Sequence, residues 1–373
     1  LLLVGSLLVT GAAQGELRVH EWGTFTSMVG SDGAAVNGMF HEDEVLPDFV
    51  HGLGEIQSAG AKANANANAN AFFCCTKAIP RPDFYFRAQG VTAKMETPVV
   101  FFYSDENVTV NLDVGFPKGV ISQTYPAPVE SYPNSENLVN LNNGFARFEV
   151  DVLLGEGESS KIPFVAADNI YSHARNVNSN IVRSGNEYER FIFYRGLGQF
   201  KPDLRIESEY GRLEVLAGES YPLIKDAFLI HVDQKGHDRM IDLGGVNGKV
   251  PDTFSAETLT QFMNHVTPGQ YISGDETRLM LRKALANAGL YNDEAQAMID
   301  TWDHGYFKTP GLRLLYILPQ SEVESILPMI ITPTPQRLER AFVGRVEILL
   351  DTQENELISD IRHARDLFDV NSL

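Results

Sequence analysis

The stretch Leu17-Arg18-Val19-His20-Glu21-Trp22-Gly23-Thr24-Phe25-Thr26 restricts the fold more than any other part of the sequence. Its residues suit a β-strand, where side chains alternate between faces. Leu17, Val19, Glu21, Gly23 and Phe25 then share one side, and Arg18, His20, Trp22, Thr24 and Thr26 the other. Glu21 falls in an apolar row. A carboxylate buried there without a partner is strongly destabilising, so a distant part of the chain must supply an opposite charge.

A guanidinium in a similar setting occurs in Phe191-Ile192-Phe193-Tyr194-Arg195-Gly196, where Arg195 extends the row of Phe191 and Phe193. The expected match is a buried Glu21 to Arg195 pair, since charge-assisted arginine–carboxylate contacts are strong and directional. A second polar stretch, Tyr171-Ser172-His173-Ala174-Arg175, lies between two expected strands. These stretches allow two readings. In one, Glu21 and Arg195 form a structural clasp. In the other, His20, Glu21, His173, Arg175 and Arg195 converge as catalytic residues, with a histidine or glutamate as general base and an arginine steadying a developing anion.

The sequence has no His-Glu-x-x-His zinc helix, Gly-x-Ser-x-Gly elbow, phosphate-binding loop or dinucleotide glycine fingerprint. That favours the clasp, and with it a binding or surface-structural role. The alternative is a hydrolase, metal-assisted if a divalent cation is bound. The expected metal ligands are His231, Asp233 and His237, which lie close together around the turn at Gly236. His41-Glu42-Asp43-Glu44 reads first as a solvated acidic loop and second as a partial ligand set.

Most of the chain up to residue 250 has the rhythm of strands and turns. Pro98 to Tyr103 is a continuous apolar run. Val108, Val110, Leu112, Val114 and Phe116 alternate with polar residues, and Ser104-Asp105-Glu106-Asn107 between the two predicts a hairpin. Further strands are expected over 145–153, 191–195, 212–216 and 228–232. From Ser255 onward the pattern turns helical. Ser255 caps 256–265, Asp275 caps 276–288, and a third helix runs from Asn292 to near Trp302. A strand is expected at 313–319, a capping box at Ser321 to Glu324, a helix start at Thr334-Pro335 and a strand at 342–350. A last helix over 353–368 would pack Leu357, Ile358, Ile361 and Leu367. The expectation is a mostly β chain: an antiparallel, β-sandwich-like domain over 15–250, then a helix-rich α+β domain over 251–373.

The charge balance, 30 basic against 49 acidic side chains for a net −19, opposes a phosphate backbone and argues against nucleic acid as partner. Leu1 to Thr10 is apolar and is followed by Gly11-Ala12-Ala13-Gln14, which together read as the end of a secretory signal over 1–14 and predict a periplasmic or extracellular protein. No segment of the mature chain reaches the ~20 apolar residues of a membrane span. The two cysteines, Cys74 and Cys75, are adjacent, so no disulfide framework is expected. They follow a low-complexity stretch of alternating alanine and asparagine, which reads as a surface loop.

Val19-His20-Glu21-Trp22-Gly23-Thr24-Phe25-Thr26, Met95-Glu96-Thr97-Pro98-Val99, Phe193-Tyr194-Arg195-Gly196, Arg313-Leu314-Leu315-Tyr316 and Ile331-Thr332-Pro333 together resemble a group of uncharacterised exported bacterial proteins. The resemblance implies one continuous architecture over most of the mature chain, and export. It implies no activity. The alanine–asparagine stretch and the paired cysteines are not part of that pattern.

Overall fold

The computed structural model describes residues 15–39, 45–52, 90–133, 141–247, 252–264 and 271–370, with side chains to residue 363. The expected leader, the His41 to Glu44 cluster and Cys74-Cys75 lie outside the described residues. The chain is mostly β, with antiparallel sheets and helices in its C-terminal part. In chain order the strands are β1 (Leu17–Val29), β2 (His51–Gly52), β3 (Ala93–Ser104), β4 (Val108–Phe116), β5 (Gly119–Tyr125), β6 (Glu130–Tyr132) and β7 (Gly144–Leu153). There follow β8 (Ile181–Ser184), β9 (Glu187–Glu189), β10 (Ile192–Gly198), β11 (Leu204–Glu207), β12 (Leu213–Ala217), β13 (Ile224–Val232), β14 (Asp238–Val246) and β15 (Asp252–Phe254). Helices α1 (Ala256–Met263), α2 (Asp275–Asn287) and α3 (Asn292–Phe307) precede β16 (Gly311–Ile317). Then come α4 (Gln320–Ile326), β17 (Met329–Thr332), β18 (Arg337–Ile348) and α5 (Asp351–Val370).

Nine strands form one sheet in the order β14-β13-β16-β18-β1-β3-β10-β5-β2. β1 sits near its middle, antiparallel to β3 and parallel to β18. The boundary expected near residue 250 does not divide this sheet, because β16 and β18 from the C-terminal part lie between β13 and β1. Long apolar strands gain most where both faces are covered, and these fill the centre of the sheet. A six-stranded sheet contains β17-β4-β7-β8-β9, with β6 on β7, and β11-β12-β15 form a third.

The expected hairpin over 98–116 is corrected here. β3 belongs to the nine-stranded sheet and β4 pairs with β7 and β17 in the six-stranded one, so the turn at Ser104 carries the chain between sheets. The two runs differ in burial in the way this requires: β3 is covered on both faces, whereas β4 alternates covered and open positions. The helix start expected at Thr334-Pro335 is also absent, since β18 begins at Arg337 and is claimed by pairing with both β1 and β16.

The alternation expected of β1 holds. Leu17, Val19 and Phe25 enter the core shared with Val110, Leu112 and Phe148 of the six-stranded sheet, and Trp22 enters a second core with Trp302, Met298 and Tyr306 of α3. α1 is capped as expected, its Ser255 Oγ accepting from the Thr258 amide at 3.1 Å. Among the described residues, no helix is long and apolar enough to cross a membrane.

Candidate functional site

Most polar side chains of β1, namely those of Arg18, His20, Glu21, Thr24 and Thr26, are met by groups from distant parts of the chain. On the inner face Glu21 is fully buried and accepts from Arg340 Nε at 2.5 Å and from the Tyr194 hydroxyl. Arg340 stands opposite Glu21 in the parallel register, while Tyr194 reaches over from β10 on the far side of β3. Arg340 also donates to the Leu327 carbonyl at 2.7 Å. Burial works against the Arg340 charge, but Glu21 and Tyr194 outweigh it and raise its pKa. Burial and the Glu21 charge push the Tyr194 hydroxyl well up. The guanidinium that answers Glu21 is thus Arg340, which corrects the expected pairing with Arg195. Arg195 follows Tyr194 directly, and alternation puts it with Phe193 on the helical side of the sheet.

On that helical side, His20 Nδ1 lies 2.8 Å from Glu294 Oε2. Glu294 is the third residue of α3, and its Oε2 also accepts from the Tyr291 amide at 2.6 Å, closing the helix N-terminus, while its Oε1 accepts from the Tyr103 hydroxyl at 2.6 Å. With the imidazole proton on Nδ1, the carboxylate orients the ring as it would a general base. However, His20 is fully buried and its Nε2 has no hydrogen-bond partner. The ring is packed between Tyr103 and Tyr291.

Further along β1, Thr24 Oγ1 lies 2.6 Å from the Tyr306 hydroxyl, and Thr26 donates to Glu96. Lys94 Nζ is 2.8 Å from Glu96, and Arg345 and Arg313 contact Glu347 at 2.6 and 2.9 Å. The five charges form an alternating chain across β3, β18 and β16. Burial pulls the Glu96 carboxyl up, but the Lys94 and Arg345 charges, with hydrogen bonds from Lys94 and Thr26, bring it down to about 2. Glu96 is therefore an anion at neutral pH and a poor proton shuttle, because a general base works best with a pKa near the working pH. Arg313 closes the end of α3 by donating to the Tyr306 and Thr309 carbonyls, each at 2.7 Å. Beside Glu96 the strand bulges. The β1–β3 register shifts between Trp22 and Thr24, and Thr97 has φ 47°, a left-handed conformation that a β-branched residue rarely takes.

Arg175 and His173 lie on the 3-10 turn Ile170–Asn176. Arg175 donates to buried Glu189 from Nε at 3.0 Å and Nη2 at 2.6 Å, and the Tyr171 hydroxyl donates to the same carboxylate at 3.2 Å. Burial raises the Glu189 carboxyl even against the Arg175 charge. The guanidinium also lies against the rings of Phe49 and Tyr171. His173, on the same turn, is half-buried. Two residues that sequence reasoning missed adjoin this cluster. His51 Nε2 is 2.5 Å from Glu187 Oε1, whose other oxygen accepts from the Ala127 amide at 2.7 Å. Burial pulls the Glu187 carboxyl up, and the His51 and Ala127 hydrogen bonds outweigh it. His51 stacks near Tyr125, which packs on Phe49. His51 and Glu187 keep 23% and 27% of their side-chain surface exposed.

The five expected catalytic residues therefore do not share a pocket. Glu21 faces the inner core, His20 joins Glu294, Arg175 joins Glu189, His173 lies on the same turn as Arg175, and Arg195 is buried in β10. The expected metal trio is divided too. Asp233 curls into the β13–β14 turn, accepting from the amides of Lys235 and His237 and lying 3.0 Å from His237 Nδ1. The His231 ring instead packs edge-on near Phe262. Burial would raise the Asp233 carboxyl, but these hydrogen bonds bring it down to about 2. Among the described residues, no group of three or more His, Cys, Asp or Glu side chains could hold a metal ion.

Compared with known proteins, the chain matches no family model, and no curated protein matches it. Arg340, Glu294, Glu96, His51 and Glu187 carry the geometry that sequence reasoning did not assign. Glu96 had one visible signal, its place in the Met95 to Val99 string.

Proposed function

We propose that the chain is an exported binding protein whose contact surface centres on His51, Glu187, Arg175 and the partly open ring of Phe49, backed by the buried rings of Tyr125 and Tyr171. The observation that carries this reading is the half-open His51–Glu187 pair set against aromatic walls. Aromatic surface joined to a few placed polar groups is how ligand sites are commonly built. The charges on β1, by contrast, are sealed and mutually neutralised, which suits a frame that holds such a surface in place. Export rests on the apolar run before Gly11. The surplus of acidic side chains speaks against a nucleic acid as the bound molecule. A sandwich-like stacking of the nine- and six-stranded sheets is inferred from the core they share.

The test is native mass spectrometry, with metal analysis, of protein purified without chelator, alongside the His51→Ala variant. A co-purifying ligand lost in His51→Ala supports the reading. Ligand retained by a folded His51→Ala protein moves the site elsewhere.

One observation favours the second reading, a hydrolase. The carboxylate of Glu187 orients an imidazole that water can reach, as a general base requires. Turnover of ester, phosphate or glycoside substrates that disappears in His51→Ala would establish it. No turnover across such a panel removes it.

A further inference from the structure

The last helix departs from its expected packing. Leu357, Ile358 and Ile361 of α5, read from the sequence as its packed side, are 48%, 39% and 67% exposed. An apolar stripe of that kind selects no ligand by itself. The half-open surface around His51 is more particular, because its polar atoms are few and the role of each is set by its neighbours.

The Arg175 guanidinium is committed inward. Its Nε and Nη2 donate to Glu189 and its Nη1 to the Pro163 carbonyl at 2.7 Å, so a buried carboxylate already answers its charge. Among the described residues Glu187 meets no arginine or lysine, and its oxygens accept from His51 Nε2 and the Ala127 amide. Burial pulls the Glu187 carboxyl up, these bonds outweigh it, and the group is an anion at neutral pH. Because Nε2 donates to that anion, the neutral imidazole presents Nδ1 as an acceptor. The resulting field is felt at Tyr125. Burial raises its hydroxyl, and Glu187 and Glu189 raise it further than Arg175 lowers it. Asp48, next to Phe49 in sequence, and Asp168, next to Asn169, are exposed and carry the same sign.

We infer that this surface takes an organic cation, a protonated amine with an apolar or aromatic body. The ammonium donates to the Glu187 carboxylate, His51 Nδ1 is open to a second donor, and the body lies on the partly open ring of Phe49. This rests on the binding role proposed above and adds the class of ligand to it. An ammonium carries three donors and no acceptor, which matches open atoms that accept. A carboxylate or phosphate in the same place is repelled by Glu187, while the net charge of −19 draws cations towards the whole molecule.

The experiment is isothermal titration calorimetry of the full chain at neutral pH and low salt, with benzylamine, benzyl alcohol and benzoate, which share a ring and differ in charge. Benzylamine is expected to bind more tightly than the other two. Glu187→Gln replaces the carboxylate by an amide of similar shape and should weaken benzylamine by roughly tenfold or more, the ratio that ~1.4 kcal/mol corresponds to. Glu209→Gln removes the same charge from an exposed position in the β11–β12 turn and should bind as wild type does, which separates the site from the overall field. Benzoate or benzyl alcohol bound as tightly as benzylamine overturns the inference, and if His51→Ala abolishes that binding the surface itself still stands. Benzylamine binding unchanged in a folded Glu187→Gln protein also overturns it. So does a wild type that binds none of the three, even where a co-purifying ligand lost in His51→Ala upholds the surface. Should Glu187→Gln fail to fold, the wild-type order of the three probes decides alone.

Discussion

Glu21 and Arg340 face each other at paired positions of two parallel strands, with the guanidinium Nε 2.5 Å from the carboxylate and both side chains buried. Taking two charges out of water is unfavourable, and only close contact with full hydrogen bonding offsets it. Glu21 meets that condition through Arg340 on one oxygen and the Tyr194 hydroxyl on the other. The contact joins β1, near the start of the chain, to β18, near its end, and so fixes the parallel register at the centre of the sheet.

Removing the Glu21 charge should therefore leave a buried guanidinium uncompensated. Glu21→Gln is expected to destabilise the fold by about 3 kcal/mol or more. The double change Glu21→Gln/Arg340→Met should be less damaging than the sum of the single changes. Urea denaturation of the three variants measures this. Strictly additive effects would show that the two side chains do not act as a pair.

Glu96 gives the fold an acid-sensitive point. Its folded pKa of about 2 lies below its ordinary 4.5, so the stability it adds is complete above pH 4.5 and is lost as pH falls towards 2. The full effect is on the order of 3 kcal/mol. Unfolding free energies measured between pH 5 and about 2 should fall more steeply for wild type than for Glu96→Gln, which has no carboxyl to protonate. Parallel slopes for the two proteins would remove Glu96 as the cause.

How much of this was legible in the sequence depends on the range of the interaction. Period-two alternation is local, and it placed Glu21 inside and Trp22 on the other face correctly. The need for a buried cation followed from the same pattern. Its identity did not, because Arg340 lies 319 positions away and falls just before the stretch expected to be a strand. Arg195 looked equivalent by its row, yet its neighbour Tyr194 has the face that meets Glu21. The helices after Ser255 were readable from their spacing, but of the expected caps only Ser255 held: Asp275 lies inside its helix behind Gly274, and the helix expected to start with a capping box at Ser321 is entered from Pro319 with no side-chain cap. The pairing of β3 and β4 with different sheets was not, because two apolar runs around a short polar turn read alike in a hairpin and in a crossover between sheets. His51 and Glu187 carried no signal, since each is unremarkable alone and their contact spans 136 positions.

Close approach at Gly23 yields a steric prediction. A Cβ there would stand 2.7 Å from the Phe342 ring and 3.1 Å from Pro98 Cα, next to the bulge at Thr97. Gly23→Ala should cost about 1–3 kcal/mol through forced shifts of the neighbouring strands. Gly52→Ala, whose added Cβ meets nothing within 4 Å, is the control and should stay near wild type. Equal stability of the two variants in denaturant titrations would mean that the strands at Gly23 yield easily.

The hydrogen bond between Thr24 and Tyr306 ties the centre of β1 to α3, at 2.6 Å between two buried hydroxyls. Burial raises the Tyr306 pKa, with Thr24 lowering it in part, so the phenol keeps its proton and needs a partner. Thr24→Val removes that partner with little change of shape and should cost about 1–3 kcal/mol, the penalty of a buried polar group left unsatisfied. Tyr306→Phe removes the other half. With both changes made, no orphaned hydroxyl remains, so the double variant should be more stable than the sum of the single losses allows, by about 1 kcal/mol. A cycle that closes to zero would mean that each hydroxyl finds another partner, and that helix α3 is held on the sheet by packing of Trp302 and Met298 without help from this bond.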